Sequence, residues 1–288
     1  MTVERRIRNA NFVFFGGSTG MGLATAMEIA RRGGNVLIVG RGDAAGQAAV
    51  TQLRAAGASS AEFLRADIST LDGMAAAAQG VKAWRSELHG VVHTAMAAVE
   101  GQQMTADGLE FAFALQYLAR AVLDRLLADK LAASGDGRVV FVSGNVPPMF
   151  MPPLDDLQFE RRKWGHMKST MGTHLLGHLH IQEATRLWGQ RAITLTAVCV
   201  GPTKTKVMSD PRMPLLMRIL GRFGTTPEAS AVNIVRALTA HSATEIAGAK
   251  LPKPKRYVAE RIALNPGDAE KLWSITSGIA ASGGVALP

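Results

Sequence analysis

The chain reads as an α/β protein built on a doubly wound parallel sheet with helices on both faces. Three observations predict this. Short, near-continuous apolar runs recur along the sequence, segments of helical length and period separate them, and a glycine-rich turn follows the first run. Apolar runs without polar alternation belong to strands covered on both sides, as in parallel sheets. With 288 residues and no composition break, long linker, repeat or low-complexity tract, one domain over 1–288 is expected.

The strand candidates are "FVFF" (12–15), "NVLIV" (35–39), "AEFL" (61–64), "GVVHT" (90–94), "RVVFVS" (138–143) and "AITLTAVCV" (192–200). After the first, Leu23, Met27 and Ala30 follow helical spacing, and Phe111, Leu115, Leu118, Val122 and Leu126 form a longer stripe. Two segments break the alternation. Residues 144–163 hold four prolines and read as a long loop; residues 201–228 read as an irregular segment with a short helix. Each leaves the carboxyl end of a strand, where open parallel sheets bind ligands, and their Met, Leu and Phe content points to an apolar small-molecule substrate. Covering a sheet edge or an oligomer contact is the other reading. In 201–228, Leu215, Leu216, Ile219, Leu220 and Phe223 share a stripe with Arg218 and Arg222 interspersed. That suits a substrate lid in preference to a peripheral membrane contact.

Composition narrows the classes. With 47% hydrophobic and 19% charged residues, the chain is an ordinary globular protein. The single cysteine, Cys199, rules out a disulfide framework and a multi-cysteine metal site and fits a reducing, cytoplasmic setting. No apolar run reaches the roughly 18 residues of a membrane span. The basic-then-apolar start lacks a small-residue cleavage site and reads as mature protein. The net charge of +9 is scattered, so no nucleic-acid face is expected, while a phosphorylated cofactor suits it.

The turn "FFGGSTGMGLATA" spaces Gly16, Gly20 and Gly22 as G-x-x-x-G-x-G between a strand and a helix. Such a turn lets backbone approach a pyrophosphate that rests on the helix amino terminus; a tight turn with close helix–sheet packing is the plainer alternative. The second strand ends in "VGRGD". Gly40 stands where an acidic residue would hold ribose hydroxyls, and Arg41 follows where a 2′-phosphate sits, favouring NADP. Asp43 restores NAD binding if the turn folds back. Asp67, in "RADIS", is placed to bond an adenine amino group, or equally to cap the next helix. The pair His174 and His178, with His180, has metal-ligand spacing but no accompanying carboxylate or cysteine, so a helix interface or solvent is expected for it.

With these pieces in order, the chain resembles the short-chain dehydrogenase/reductase family, nearest its retinol-dehydrogenase and protochlorophyllide-reductase-like branch, from about residue 10 to the end. The resemblance is carried by "GLEFAFALQYLARAVLDRLL", "RVVFVSG", "LDDLQFE", "KWGHMKSTMGTHLLGHLHIQEATRLWG", "GPTKT" and "GDAEKLWSITSGIA". It implies a Rossmann fold, an NADP cofactor, and a homodimer or homotetramer. The implied cofactor contacts are Gly16, Ser18, Thr19, Gly20, Met21, Gly22, Arg41, Asp67, Ile68, Ala95, Lys168, Thr203 and Thr205.

In that family a tyrosine exchanges the substrate proton, a lysine four residues later lowers its pKa and holds the nicotinamide ribose, a serine polarises the carbonyl and an asparagine relays protons. Carried over by position, the lysine is Lys168 and the tyrosine slot holds Trp164. The serine slot falls on Gly144, leaving Ser143 one residue early, and the asparagine slot holds Gln116. The turn usually reading Asn-Asn-Ala-Gly is His93, Thr94, Ala95, Met96. Trp164, Lys168, Ser143 and Gln116 are thus the expected reaction-site residues. On one continuous helix Trp164 and Lys168 would lie about 40° apart. An indole N–H donates a hydrogen bond but is too weak an acid to give up a proton near neutral pH. Trp164 then orients or stacks on a flat substrate, or is an ordinary aromatic under the long loop. As substitute acids, His166 should point away from that face, Ser143 to the other side of its strand, and Tyr117 should reach the site only through a distorted helix.

Overall fold

A computed structural model describes residues 5–239 and 243–288. In chain order the elements are β1 (Asn11–Phe15), α1 (Gly20–Arg31), β2 (Asn35–Gly40), α2 (Asp43–Ala55), β3 (Ser60–Arg65), α3 (Leu71–Trp84) and β4 (Gly90–His93). Next, α4 (Phe111–Phe113) runs through a π-helical turn (Ala114–Leu118) into α5 (Ala119–Ala133), followed by β5 (Gly137–Ser143), α6 (His166–Leu187) and β6 (Ile193–Cys199). The chain closes with α7 (Lys206–Ser209), α8 (Leu215–Arg222), α9 (Pro227–Thr239), α10 (Ala243–Ile246), β7 (Ala249–Leu251), β8 (Glu260–Arg261) and α11 (Pro266–Ser282).

The strands make one sheet in the order β3-β2-β1-β4-β5-β6-β7-β8, parallel except for the antiparallel β7–β8 pair. Alternation along β1 shows why its sequence is apolar throughout. Phe12 and Phe14 pack with Ile29 of α1 and Leu238 of α9, while Val13 and Phe15 pack in the opposite layer with Leu118, Leu179 and Leu272. Every side chain of β1 is buried. The strand order reverses between β1 and β4, so the carboxyl ends of those strands open a crevice of the kind in which open parallel sheets bind ligands.

The predicted strands are all present with ends shifted by a residue or so, and 144–163 is a loop holding only a 3-10 turn at Pro148–Phe150. Three readings need correction. The face of α1 that is buried comprises Gly22, Thr25, Ala26, Ile29 and Ala30, with Leu23 and Met27 half-buried, because the helix must lie close to the sheet at its glycine end. The π turn shifts the phase of the α4–α5 stripe, so Leu115, Leu118 and Val122 are buried while Phe111 and Leu126 are half-buried. Trp164 precedes α6, whose N-cap is Gly165, so it does not share a helical face with Lys168. The apolar stripe of α8 is exposed to solvent, with Leu215 and Ile219 on the wall of a cavity against the 204–209 segment. None of the described helices is long and apolar enough to cross a membrane.

Candidate functional site

The glycine turn between β1 and α1 is built so that backbone, not side chain, lines a cradle. Gly16 has φ 93°, and a Cβ there would lie 2.6 Å from the Ala95 amide nitrogen. A Cβ on Gly22 would lie 2.6 Å from both the Gly16 carbonyl oxygen and Thr94 Oγ1. The Thr94 hydroxyl ties the two walls together by donating to the carbonyls of Phe15 at 3.2 Å and Gly16 at 3.0 Å. Thr19 takes an extended conformation at the N-cap of α1 and makes no side-chain cap bond, so the first-turn N–H groups are left for an outside acceptor. Ser18, Gly20 and Met21 remain partly exposed along this edge. Gly20 (φ 58°) faces Thr205, whose Cγ2 would be 3.3 Å from a Cβ at that position. The 201–209 segment therefore reaches over the turn, anchored by Thr205, whose Oγ1 accepts from Met208 N at 3.3 Å and caps α7. A pyrophosphate fits this donor set and this lack of side-chain bulk. Thr203, also expected there, turns inward: its hydroxyl pairs with Ser230 Oγ at 2.7 Å and it is buried.

At the end of β2, Arg41 and Asp67 face each other, Nη1 to Oδ2 3.9 Å, and both are about half exposed. Asp67 Oδ1 accepts from the Ser69 amide at 3.0 Å and hydroxyl at 2.7 Å. It is not the cap of α3; Thr70 is, accepting from Gly73 N at 3.2 Å. Ile68 beside it is buried in the core. Asp43 is drawn away from Arg41 by an ion pair with Arg65 at 3.0 Å.

The tryptophan slot is organised around a residue that sequence reasoning passed over. Glu110 is buried and accepts three hydrogen bonds: Trp164 Nε1 at 3.1 Å, Ser169 Oγ at 2.9 Å and Phe113 N at 2.8 Å. Its own N–H donates to Gln158 Oε1 at 2.6 Å, pinning the loop before α6. The Trp164 indole is therefore committed to α4 and has no proton donor left over. Lys168, in the first turn of α6, is exposed and makes no ion pair or hydrogen bond among the described residues. Beside it lies a cavity of only about 10 Å³, bounded by Glu110, Phe113, Arg162 and Ser169. His166 packs edge-on to Trp164, ring centroids 6.3 Å apart, and burial lowers its pKa although Glu110 opposes the shift. Gln116 sits in the π turn, and its buried Oε1 has no partner among the described residues. Single π turns inside α-helices are rare and are frequently found at functional sites.

Ser143 is buried and its hydroxyl meets His178 Nε2 of α6 at 3.2 Å, so it faces the α6 side of the sheet and not the other side expected from strand alternation. Gly144 faces His174 instead: a Cβ on Gly144 would lie 3.6 Å from His174 Cδ2 and 3.8 Å from Nε2. Burial, then Arg120 and His178, push the His174 pKa down to about 3, so its ring is neutral at physiological pH. His178 is pushed down to about 4 by burial, Lys250 and Arg120. His180 goes elsewhere, stacking on Phe141 and Trp273 and standing 3.4 Å from Asp124, which also pairs with His93 at 2.7 Å. The helix around Tyr117 is distorted, yet Tyr117 bonds Thr276 of α11 at 2.7 Å and does not reach the site. Sequence reasoning missed Glu110, and it weighed His174 only as a metal ligand, a helix-interface residue or a solvent-facing one. Helical periodicity from Ser143 and Gly144 to α6 gives no cross-element register, and an isolated Glu ahead of a helix carries no motif.

The sequence pattern described as short chain dehydrogenase matches residues 11–152. Human retinol dehydrogenase 12 is 28% identical over 266 residues, covering 92% of this chain and 84% of its own. Human polyprenol dehydrogenase is 27% identical over 270 residues, covering 90% and 81%. Among solved structures, a 3-oxoacyl (acyl-carrier-protein) reductase from Agrobacterium tumefaciens C58 with NADP bound superposes with TM-score 0.66 at 20% identity, covering 85% of this chain and 92% of that one.

Proposed function

We propose that this chain is a member of the short-chain dehydrogenase family, an oxidoreductase family whose pattern matches residues 11–152, and that it is an atypical NADP-dependent oxidoreductase for a bulky apolar substrate. The reaction favoured is hydride transfer to an activated C=C, a quinone or an imine. One observation carries this reading. The cradle for the dinucleotide is intact, while the proton-handling positions are spent: Trp164 is bonded to Glu110 and Ser143 to His178. The reduced nicotinamide supplies the hydride when bound.

In this reading the chain's own residues do the rest. Gly16, Gly20 and Gly22 let the turn and the α1 amino terminus hold the pyrophosphate; Arg41 meets the 2′-phosphate, and Lys168, exposed and unpaired, holds ribose hydroxyls. His174 stands beside Gly144, in the space next to the missing serine, and as a neutral imidazole it donates a hydrogen bond to a carbonyl without protonating it. Polarisation of that kind suffices for an enone, whose enolate then takes its proton from water, but serves a simple ketone poorly. Relatives named for retinol and polyprenol, both long apolar alcohols, and the apolar loops support a greasy substrate.

A second reading has its own support. The cavity beside Lys168 holds about a single water, which suits a protein that binds NADP to sense or scaffold and turns nothing over. A panel of apolar enones, quinones and imines set against simple ketones, with NADPH oxidation as the readout, decides. Turnover confined to the activated substrates supports the oxidoreductase; tight NADPH binding with no oxidation anywhere supports the sensor; brisk ketone reduction removes both.

A further inference from the structure

The α8 helix presents an arrangement the reaction site does not use. Leu215, Leu216 and Phe223 are 67%, 66% and 82% exposed, and Ile219 and Leu220 are exposed with them. At 100° per residue these five side chains span an arc of about 140°. Arg218 and Arg222 flank that arc on one side, and Gly221, opposite, is the buried contact that seats the helix on Met208. Lys204 and Lys206 extend the cationic border, and with Arg218, Arg222 and Met208 they line a cavity of about 610 Å³ between the clasping segment and α8. These four cations form no ion pair among the described residues. The nearby Asp210 is neutralised by Arg212 at 2.7 Å.

We propose that α8 and the Lys204–Lys206 border dock the protein on an anionic lipid bilayer surface. A short helix with its apolar arc outward and cations along the edge is the form that lies in the interface, apolar side chains sunk about 5–10 Å into the headgroup boundary and cations among the headgroups. The charge decides the occupant. In an isologous contact between two copies the patch meets itself, setting one row of unpaired cations against another. A bilayer rich in phosphatidylglycerol supplies both an apolar interior and anionic partners, and the chain's net charge of +9 adds to the attraction. The proposal is independent of cofactor binding and turnover. It also places the mouth of the 610 Å³ cavity at the lipid surface, where a greasy molecule would arrive.

The test is vesicle flotation of the full chain without cofactor. Vesicles of phosphatidylcholine and phosphatidylglycerol in equal parts should carry the protein up, and pure phosphatidylcholine should carry little. Arg218→Gln with Arg222→Gln should weaken anionic partition roughly twenty-five-fold, about fivefold per cation. Leu216→Ser with Phe223→Ser should abolish it; all four side chains are exposed, so the thermal midpoint should stay put. Failure of the native chain to float, or partition unmoved by either pair, overturns the proposal. So does an equal loss on replacing Lys82 and Lys271, which stand on α3 and α11, since that would make the attraction diffuse. A dimer in light scattering that Leu216→Asp converts to monomer, with no flotation, would assign the patch to a second copy instead.

Discussion

The indole of Trp164 donates its N–H to the buried carboxylate of Glu110 at 3.1 Å, and that one bond decides what the tryptophan is for. The same carboxylate oxygen takes the Ser169 hydroxyl at 2.9 Å, and the other takes the Phe113 amide at 2.8 Å. Trp164 thereby fastens the end of the long loop to the start of α4 and the first turn of α6.

Removing that acceptor should be costly. Glu110→Ala leaves three donors without their partner, each unsatisfied buried donor being worth about 1–3 kcal/mol. The loss of stability in urea unfolding should reach about 3 kcal/mol, and Trp164 fluorescence should lose its native emission. Trp164→Phe removes one bond only, and should cost about 1–2 kcal/mol. A Glu110→Ala protein as stable as the parent would show that the junction is not held this way.

Cofactor choice turns on Arg41. It stands at the end of β2 with only a distant partner, Asp67 at 3.9 Å, so its charge is available to a 2′-phosphate. NADPH should bind more tightly than NADH, and a charge-assisted contact of about 1.5–3 kcal/mol predicts that Arg41→Ala erases most of the difference. Equal affinities in the native protein, measured by nucleotide fluorescence, would count against NADP.

Lys168 is exposed and has no partner to lose among the described residues. Lys168→Ala should therefore leave the unfolding free energy within about half a kcal/mol of native while weakening NADPH binding. Unchanged NADPH affinity in this variant would remove Lys168 from the cofactor site.

The histidines of α6 set an acid limit. Burial holds the folded pKa of His178 at about 4 and of His174 at about 3, below the value near 6.5 of an unfolded histidine. Between those values the unfolded chain binds more protons than the folded one. Their contribution is full above about pH 6.5 and falls away as pH drops toward the folded pKa, by up to about 1.4 kcal/mol per pH unit for each ring. The thermal midpoint should thus drop between roughly pH 6 and pH 4, and His174→Gln with His178→Gln should flatten that slope. A slope identical in the double variant would trace acid sensitivity to other groups.

How much of this the sequence disclosed follows from where each signal resides. The buried strands announced themselves because a parallel strand is apolar on both faces, as Phe12 through Phe15 show. The cradle was legible because Gly16 and Gly22 have no room for a Cβ. The β7–β8 pair was not, since three and two residues are too short to carry a period. Nor was the π turn, because "ALQYL" has ordinary helical propensity and the extra residue is imposed by packing. Trp164 was misplaced by helical geometry because tertiary bonds to Glu110, not local spacing, hold it ahead of α6. Cross-element meetings such as His174 with Gly144 are invisible to any single-segment pattern.

The last prediction installs a serine and a tyrosine at the two positions proposed for those slots. Gly144→Ser is sterically admitted, since its Cβ would meet Val146 at 3.4 Å and His174 at 3.6 Å, ordinary contact distances. The new hydroxyl would lie beside the neutral His174 ring and add a second donor toward a substrate carbonyl. Trp164→Tyr exchanges an indole, useless as an acid, for a phenol, but the phenol's first available acceptor is Glu110, which would hold it away from substrate. The double variant should therefore gain ketone reduction only modestly. Adding Glu110→Gln, which keeps an acceptor for Ser169 while weakening the pull on the phenol, should raise it further. General acid catalysis is worth about 10²–10⁴-fold, so even a fraction of it lifts the rate clear of background. The order of rates, native below double below triple, is the expected result from initial-rate NADPH oxidation with a simple apolar ketone. If the triple variant folds, binds NADPH and reduces ketone no faster than the native chain, then the Trp164 and Gly144 positions are not what withholds carbonyl reduction, and the assignment of the tyrosine and serine slots falls with it.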